Sequence, residues 1–517
     1  MSEPHPRRPA GASPLLVPRR AALALPGLAL FGHFRARAAE GDPFLLGVAS
    51  GEPAPGGFVL WTRLATEWRG GGMPAQAVPV DWVVARDEGL RDVVRRGQAV
   101  ALPEDVHSVH VELSGLEPDR PYWYRFTALG AASETGRART TPPPGAAPAR
   151  LRFAFASCQN YEAGFYGAYR HMLAEDPDLV VFLGDYIYEA STARNPVRSH
   201  EAPTARDLAG YRDRYALYKT DPDLRAMHRA CPWLVTWDDH EVSNDYADDR
   251  DGREEGEAVL RKRAAAYKAF WEHMPLPESA RPRGAATRIY RRAGFGGLAR
   301  FHILDDRQYR GHQPCPKPGM GGGNLVPRES CPALDDPGRT MLGAAQEAWL
   351  REGLAEGGAR WTILAQQTRM ARFGTPEAPH RYQTDNWDGY PAARRRLLED
   401  LVASGAPNPI VIGGDVHAHV VSTLRPDFDR PEAAPVAVEF TGTSISSPGP
   451  RYGGTYPDDP HVAYADGRSR GYVMMTLTPE TATAELRALT NVRDRETGIT
   501  TPRRYVVEAG RSALTAG

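Results

Sequence analysis

The chain has 517 residues, 41% hydrophobic and 25% charged, which predicts a globular protein of two or three domains. A net charge of −1 supplies no overall field toward nucleic acid or an anionic membrane. Past the N-terminal region, no segment is long and apolar enough to span a bilayer. Lysine occurs only at 219, 262, 268 and 317, so the arginine excess reads as coding bias, with the abundant Ala, Gly and Pro.

Residues 1–40 carry a targeting pattern. A basic start that includes Arg7, Arg8, Arg19 and Arg20 precedes a moderately apolar stretch, 21–34, and an A-x-A sequence at Ala36-Arg37-Ala38. The Arg19-Arg20 pair before a weak apolar core resembles a twin-arginine export signal, which carries folded proteins. A secreted or periplasmic bacterial protein is expected. Of the four cysteines, Cys315 and Cys331 bracket a Gly/Pro-rich loop and suit a disulfide after export. The Gly321-Gly322-Gly323 run inside it lacks the lysine and spacing of a phosphate-cradling loop and is expected to be flexible.

Residues 41–141 read as all-β, with short apolar or alternating runs between Gly/Pro turns. Leu116-Glu117-Pro118 followed by Tyr122, Tyr124 and Phe126 resembles the turn and aromatic strand of a fibronectin-type sandwich. Residues 142–150 read as a linker, and from 151 the pattern alternates strands and helices. Gly164–Ala174 has helical spacing, with Tyr166, Tyr169 and Leu173 on one side. Leu179–Glu189, LVVFLGDYIYE, is the stretch around which the rest is organised. A five-residue apolar run fits a strand buried on both faces; Gly184 breaks it and Asp185 follows at once. In an open α/β sheet, ligands bind at the carboxyl ends of the strands, so Asp185 stands at the mouth of a site. Taken alone, the pattern also fits a buried strand with a polar turn. The same grammar recurs, however, in LRFAFASCQN, PWLVTWDDHE, ARFHILDD, ARWTILAQQ and NPIVIGGDVHAH. A core needs the apolar runs, but it does not need an acid, thiol or imidazole at the same end of each.

The donors imply ions. Cys158, Asp185, Tyr188 and His417 mix thiolate, carboxylate, phenolate and imidazole, which suits a redox-capable transition metal such as Fe3+. Asp239, Gln367 and Asp415, with Asp185 bridging, form an all-oxygen set suited to Ca2+ or Mg2+. Two metals about 3.5–4 Å apart can bind a phosphate, generate a hydroxide nucleophile and steady the leaving oxygen. His240, directly after Asp239, would point at the phosphoryl oxygens. Individually these residues have plainer readings. Cys158 could be an inert buried thiol, Asn244 a turn cap or a ligand, Gln366 or Gln367 a buried hydrogen-bonding group, and Asp238 a support for Asp239. His419 reads as a satisfied polar neighbour.

Together, GVASGEPAPGGFVLWTR (47–63), SCQN (157–160), GDYIYE (184–189), WDDHEVSNDYA (237–247), LDDRQYRGHQPC (304–315), RTMLGAAQEAWL (339–350), DNWDGY (385–390) and GGDVHAH (413–419) resemble the PhoD family of alkaline phosphatases and phosphodiesterases. The resemblance covers nearly all of the chain after residue 40. It implies an α/β metallophosphoesterase core of two packed sheets flanked by helices, at 151–517, behind the all-β fibronectin-like sandwich at 41–141. It implies a monomeric phosphoesterase with one Fe3+ and two Ca2+. Cys158, Asp185, Tyr188 and His417 match the iron positions, and Asp239, Asp415 and Asn244 the calcium side. The nucleophile it implies is a metal-bound hydroxide or oxide, acting on small phosphoesters. Phospholipid or teichoic-acid-like diesters would fit an open site, since no capping helix is legible after Val507. The GDxxY and D-x-H pieces are also similar to purple acid phosphatases, where a His ligand falls at the place of Gln367.

Other chemistries fit less well. No His-x-Lys pair exists, so the phospholipase D superfamily that uses that motif is excluded, although a phospholipase D-like specificity for phospholipid head groups is not. Gly467–Gly471 matches G-x-S-x-G but precedes a strand, so it reads as a hairpin turn and not a nucleophile elbow. His240-Glu241 lacks the second His of a zincin. A non-catalytic, secreted, metal-containing binding protein is the alternative from another class.

Overall fold

Two mixed β-sheets pack face to face, with helices on their outer sides, in a computed structural model that describes residues 41–374, 381–450 and 459–517. The expected export signal lies outside the described residues. One sheet has ten strands and the other seven. The strand Leu179–Phe182 lies in the middle of the larger sheet, parallel to Leu151–Ala156 on one side and Pro232–Val235 on the other. Its alternating side chains explain the unbroken apolar run: Val181 and Leu183 face the second sheet, while Val180 and Phe182 face the helices. In the smaller sheet, Ala299–Ile303, Trp361–Ala365 and Pro409–Gly413 are likewise mutually parallel. Phe153, Val181, Phe301, Ile363 and Ile412 interlock between the sheets.

The helices cover the outer faces. Leu208–Lys219 begins at Asp207, whose carboxylate accepts from Gly210 N, and it buries Tyr211, Tyr215 and Tyr218. Pro222–Ala230 has Asp221 as its cap and proline in the first turn. The expected helix after residue 164 runs Gly167–Ala174, starting later than its spacing suggested. Tyr169 and Met172 form its buried face, and Leu173 is exposed. Gly343–Ala355 and Pro391–Ser404 cover the second sheet through Leu350, Leu354, Leu397 and Leu401.

The N-terminal strands divide between sheets. Val78–Ala85, Val93–Ala101, Pro121–Ala128 and two short partners form a separate five-stranded sheet. Val48–Ala54, Gly57–Arg63 and Ser108–Leu113 instead extend the ten-stranded sheet, with Val48–Ala54 parallel to Pro232–Val235. Both groups share one apolar core, including Leu60, Val80, Val84, Tyr124 and Phe126. The strand that leads to Asp238, Asp239 and His240 is therefore covered along one edge by N-terminal residues. Gly467–Arg470 is not a hairpin: the strand before it, Val462–Asp466, belongs to the smaller sheet, and the strand after it, Gly471–Leu477, to the larger. Cys315 and Cys331 are disulfide-bonded. No helix among the described residues is long and apolar enough to cross a membrane.

Candidate metal centre

Parallel strands in register stop at the same level. Ala156, Phe182 and Val235 are aligned across one sheet, and Ile303, Ala365 and Ile412 across the other. The next few residues of each strand therefore converge on one rim, the place where open α/β sheets bind ligands. The turns that follow are tight. Cys158, Asp185, Asp415 and His417 all have positive φ, between 54° and 65°, a sparsely populated region for residues with a Cβ. Gly184, at φ 105°, brings the backbone against the next loop, and a Cβ there would lie 2.4 Å from Asp238 N.

Donor atoms of Cys158, Asp185 and His417 lie within 4.8 Å of one another. Tyr188 joins them: its Oη donates to Asp185 Oδ2 at 2.8 Å and lies 3.1 Å from His417 Nε2. His417 Nδ1 pairs with the Pro448 carbonyl at 2.8 Å, which leaves Nε2 facing the cluster. Burial, then the charge of Asp185, pushes both the Cys158 thiol and the Tyr188 phenol well above their ordinary pKa.

Asp185 also belongs to a second group with Asp239 and His240. Asp239 in turn joins Asp238 and Asp415, and separately Asp245 and Asp385. Arg307, fully buried, stands among these carboxylates. Its Nε donates to Asp238, its Nη1 to both oxygens of Asp385 at 2.9 and 3.1 Å, and its Nη2 lies 3.5 Å from Asp415 and 3.9 Å from Asp239. Burial pushes the carboxyls of Asp238 and Asp415 well above their ordinary range despite Arg307. Asp239 stays ionised: burial opposes it, but Arg307 and His240 outweigh burial. His240 Nδ1 pairs with Glu189 Oε2 at 2.6 Å, and its ring lies against that of Tyr188, 4.1 Å between centroids. Burial disfavours its charge, yet Glu189, Asp185 and Asp239 together raise it well above the ordinary imidazole value.

Of the residues anticipated from the sequence, the structure brings together Cys158, Asp185, Tyr188, Asp239, His240, Asp415 and His417. Gln367 follows the strand Trp361–Ala365 by two residues. Its Nε2 donates to Thr236 Oγ1 at 2.7 Å and to the Leu304 carbonyl at 2.9 Å, while its Oε1 accepts from Asp306 N at 3.0 Å. The amide ties three strand ends together, with both Nε2 hydrogens donated and Oε1 accepting one hydrogen bond. Asn244 is exposed between His240 and Asp245, and its backbone N–H donates to Glu189 Oε1. His419 is buried and hydrogen-bonded to Thr443 N, away from the donors, as expected.

Sequence reasoning missed Asp238 as a member of the donor group, together with Asp245, Asp385, Arg307 and Glu241. Glu241, completely buried, accepts from the backbone N–H groups of Asp185, Tyr186 and Asp238 and so ties two strand ends into one geometry. Burial and the nearby Asp185 raise its carboxyl to about 8 against those donors. Asp385 and Arg307 both lie in motifs that the sequence singles out, DNWDGY and LDDRQYRGHQPC, which was the available signal. The Gly321–Gly323 run is also corrected: it packs closely. A Cβ on Gly323 would meet Asp385 Cβ at 2.6 Å, and Gly323 N donates to Asp245 Oδ2 at 2.8 Å.

The residues present fit cations. Acids whose ligand atoms lie within 4.8 Å of one another, two of them driven toward protonation despite Arg307, have room for further positive charge. Asp238 Oδ2 and Arg307 Nη2 are buried without a hydrogen-bond partner among the described residues.

The model of the PhoD-like phosphatase family matches residues 153–486, and the model of the N-terminal domain of PhoD-like phosphatases matches residues 31–142. The chain is 43% identical over 492 residues to alkaline phosphatase D of Bacillus subtilis (strain 168), covering 91% of this chain and 82% of that protein. A solved structure of PhoD superposes with a TM-score of 0.85 at 42% identity, covering 92% of each chain. The chain belongs to the PhoD-like phosphatase family. It is accordingly a phosphoesterase.

Proposed function

We propose that the chain is an exported, metal-dependent phosphoesterase of the alkaline phosphatase D kind, hydrolysing phosphomonoesters, phosphodiesters or both. The observation that carries this reading is the position of Asp185, one carboxylate shared by two donor groups, beside a cationic His240. Cys158, Asp185, Tyr188 and His417 would hold Fe3+, and Asp239 and Asp415, with Asp185 and Asn244, would hold Ca2+. When bound, such ions supply charge against the phosphoryl oxygens and make water acidic enough to attack at moderate pH.

The chain's own residues orient and protonate. Asp185 fixes the spacing of the two groups. His240 has Nδ1 committed to Glu189, so its Nε2–H is the donor left for a phosphoryl oxygen or the departing alkoxide. Tyr188 sets the tilt of that ring from below. Arg307 offsets charge among the outer acids so that they can crowd together without a full complement of cations.

Residues 41–141 are read as a fibronectin-like sandwich domain and 151–517 as the catalytic domain. The bond from Tyr122 Oη to the Glu117 carbonyl, 3.1 Å, supports the first by analogy with a tyrosine corner. Export through the twin-arginine-like pattern is consistent with the Cys315–Cys331 disulfide. A monomer acting on small phosphoesters is the working state.

The deciding experiment is elemental analysis of the protein purified without added metal, paired with turnover before and after calcium chelation. About one iron per chain with calcium, and activity lost in chelator and restored by Ca2+, are expected. Full activity in chelator would refute a catalytic calcium. Metal absent throughout, with no activity on adding iron and calcium, would favour a binding protein instead.

A further inference from the structure

A cavity of about 900 Å³ lies beside the loop 446–449, and the mechanism above makes no use of it. Its lining includes Thr192, Arg194, Pro448, Arg468, Arg470 and Arg493, and no carboxylate among the described residues. Many arginines elsewhere in the chain do face acids, as Arg139 does Asp119 and Asp178, or Arg487 does Glu175 and Glu485. Arg194, Arg468 and Arg493 are exposed and form no ion pair with a carboxylate among the described residues. Arg493 is held in place, Nη1 donating to the Asn195 carbonyl at 2.7 Å. Arg470 is buried and braces the loop through Ser444 Oγ and the carbonyls of Ser447 and Gly467.

The loop 446–449, which lines this cavity, also borders the donor cluster. Ser447 Oγ donates to Tyr188 Oη at 2.6 Å, and the next residue, Pro448, accepts from His417 Nδ1. On the other side Thr192 Oγ1 accepts from Asn160 Nδ2 at 3.2 Å, two residues after Cys158. A substrate with its phosphoryl group at the donor cluster therefore has the basic cavity as its neighbour.

We propose that this cavity is a subsite for a second phosphate of the substrate, beyond the one being cleaved. The inference rests on the phosphoesterase reading above. Guanidinium forks match phosphate oxygens in geometry as well as charge, and among the described residues no carboxylate lines the cavity to repel an anion. The substrate class it selects is a phosphoester carrying a further phosphate along its backbone, whether a phosphodiester chain or a bisphosphorylated small molecule.

The test uses non-hydrolysable competitors on the full protein. Turnover of p-nitrophenyl phosphate and of bis(p-nitrophenyl) phosphate is measured first; turnover of neither would mean that the phosphoesterase reading itself has failed. Alkane-α,ω-bisphosphonates of three to ten carbons are then compared with alkylphosphonates of equal length as inhibitors of whichever ester is cleaved. The two series present the same headgroup to the metal site, so only the second anion differs. At least one chain length is expected to bind about tenfold tighter as the bisphosphonate, with the advantage shrinking as salt is added. The triple variant Arg194→Gln, Arg468→Gln, Arg493→Gln should lose that advantage while keeping its kcat and KM for the chromogenic ester, which also shows that it is folded. No advantage at any length, or an advantage that survives the triple variant, overturns the subsite. Comparing a bisphosphorylated diol with a short phosphodiester chain as substrates then separates the two sources.

Discussion

The donor cluster around Tyr188 and the one around Arg307 are built from the same kind of strand end, yet they balance charge in different ways. Around Tyr188 the groups neutralise one another. A phenol donates to Asp185 and is pushed, like the Cys158 thiol, toward its protonated form. A cation entering there must displace protons from sulfur and oxygen, so its uptake strengthens as pH rises. Around Arg307 the acids are too many to neutralise one another, and a buried guanidinium carries the balance. The contrast teaches that one rim can balance charge by mutual donation on one side and by a buried guanidinium on the other, with Asp185 as the shared member.

The change with the largest expected effect strikes the shared member. Asp185→Asn keeps the shape but removes the charge common to both groups. Turnover should fall by about 10³-fold or more, with both metals lost in elemental analysis. Retention of either metal at the level of the parent protein would break the idea of a bridging carboxylate. Next comes His240→Gln, which removes the imidazole and leaves Cys158, Asp185, Tyr188, Asp239, Asp415 and His417 in place. We expect about 10²–10³-fold lower turnover with unchanged metal content; an unchanged rate would remove His240 from the mechanism.

Arg307→Gln tests the outer half alone. Asp238 loses its side-chain partner, while Asp385 keeps Arg310 and Gln313; breaking a buried pair costs about 3–5 kcal/mol. Added Ca2+ should raise the melting temperature of this variant by more than that of the parent, because the cation then replaces the lost guanidinium charge. An equal calcium shift in the two proteins would mean that Arg307 does not share the balance. The smallest effect is expected from the paired change Cys315→Ser, Cys331→Ser. The disulfide closes the loop in which Gly322 and Gly323 lie against Asp245 and Asp385. Its loss should weaken calcium retention about tenfold and leave iron in place. Iron loss would show that the two halves are mechanically coupled.

Much of the inner cluster was legible because each donor sits within a few residues of an apolar run. Leu179–Leu183 before Gly184-Asp185, and the runs ending at Cys158 and Asp415, announce strands whose ends must lie on a surface. Gln367 obeys the same rule and still proved to be a strut. Position at a strand end places a side chain near the rim, but whether it faces the ion or the neighbouring strands depends on where Thr236, Leu304 and Asp306 come to rest. Asp245, Asp385 and Arg307 reach the outer cluster from turns and long loops, where no periodicity marks direction. The Gly321–Gly323 run was misread for a related reason: glycine permits flexibility and close approach alike, and only the facing carboxylates distinguish them.

By itself the sequence determined the strands, the rim on which the donors gather, and the mixed chemistry of Cys158, Asp185, Tyr188 and His417, since all of these follow from local patterns of apolar and polar residues. Only the tertiary structure decided that an N-terminal strand pairs with the strand leading to His240, that Arg307 stands among the outer acids, and that Arg194, Arg468 and Arg493 gather at the cavity beside Pro448. Each of these joins residues far apart in the chain, and charge balance at a distance leaves no local signature.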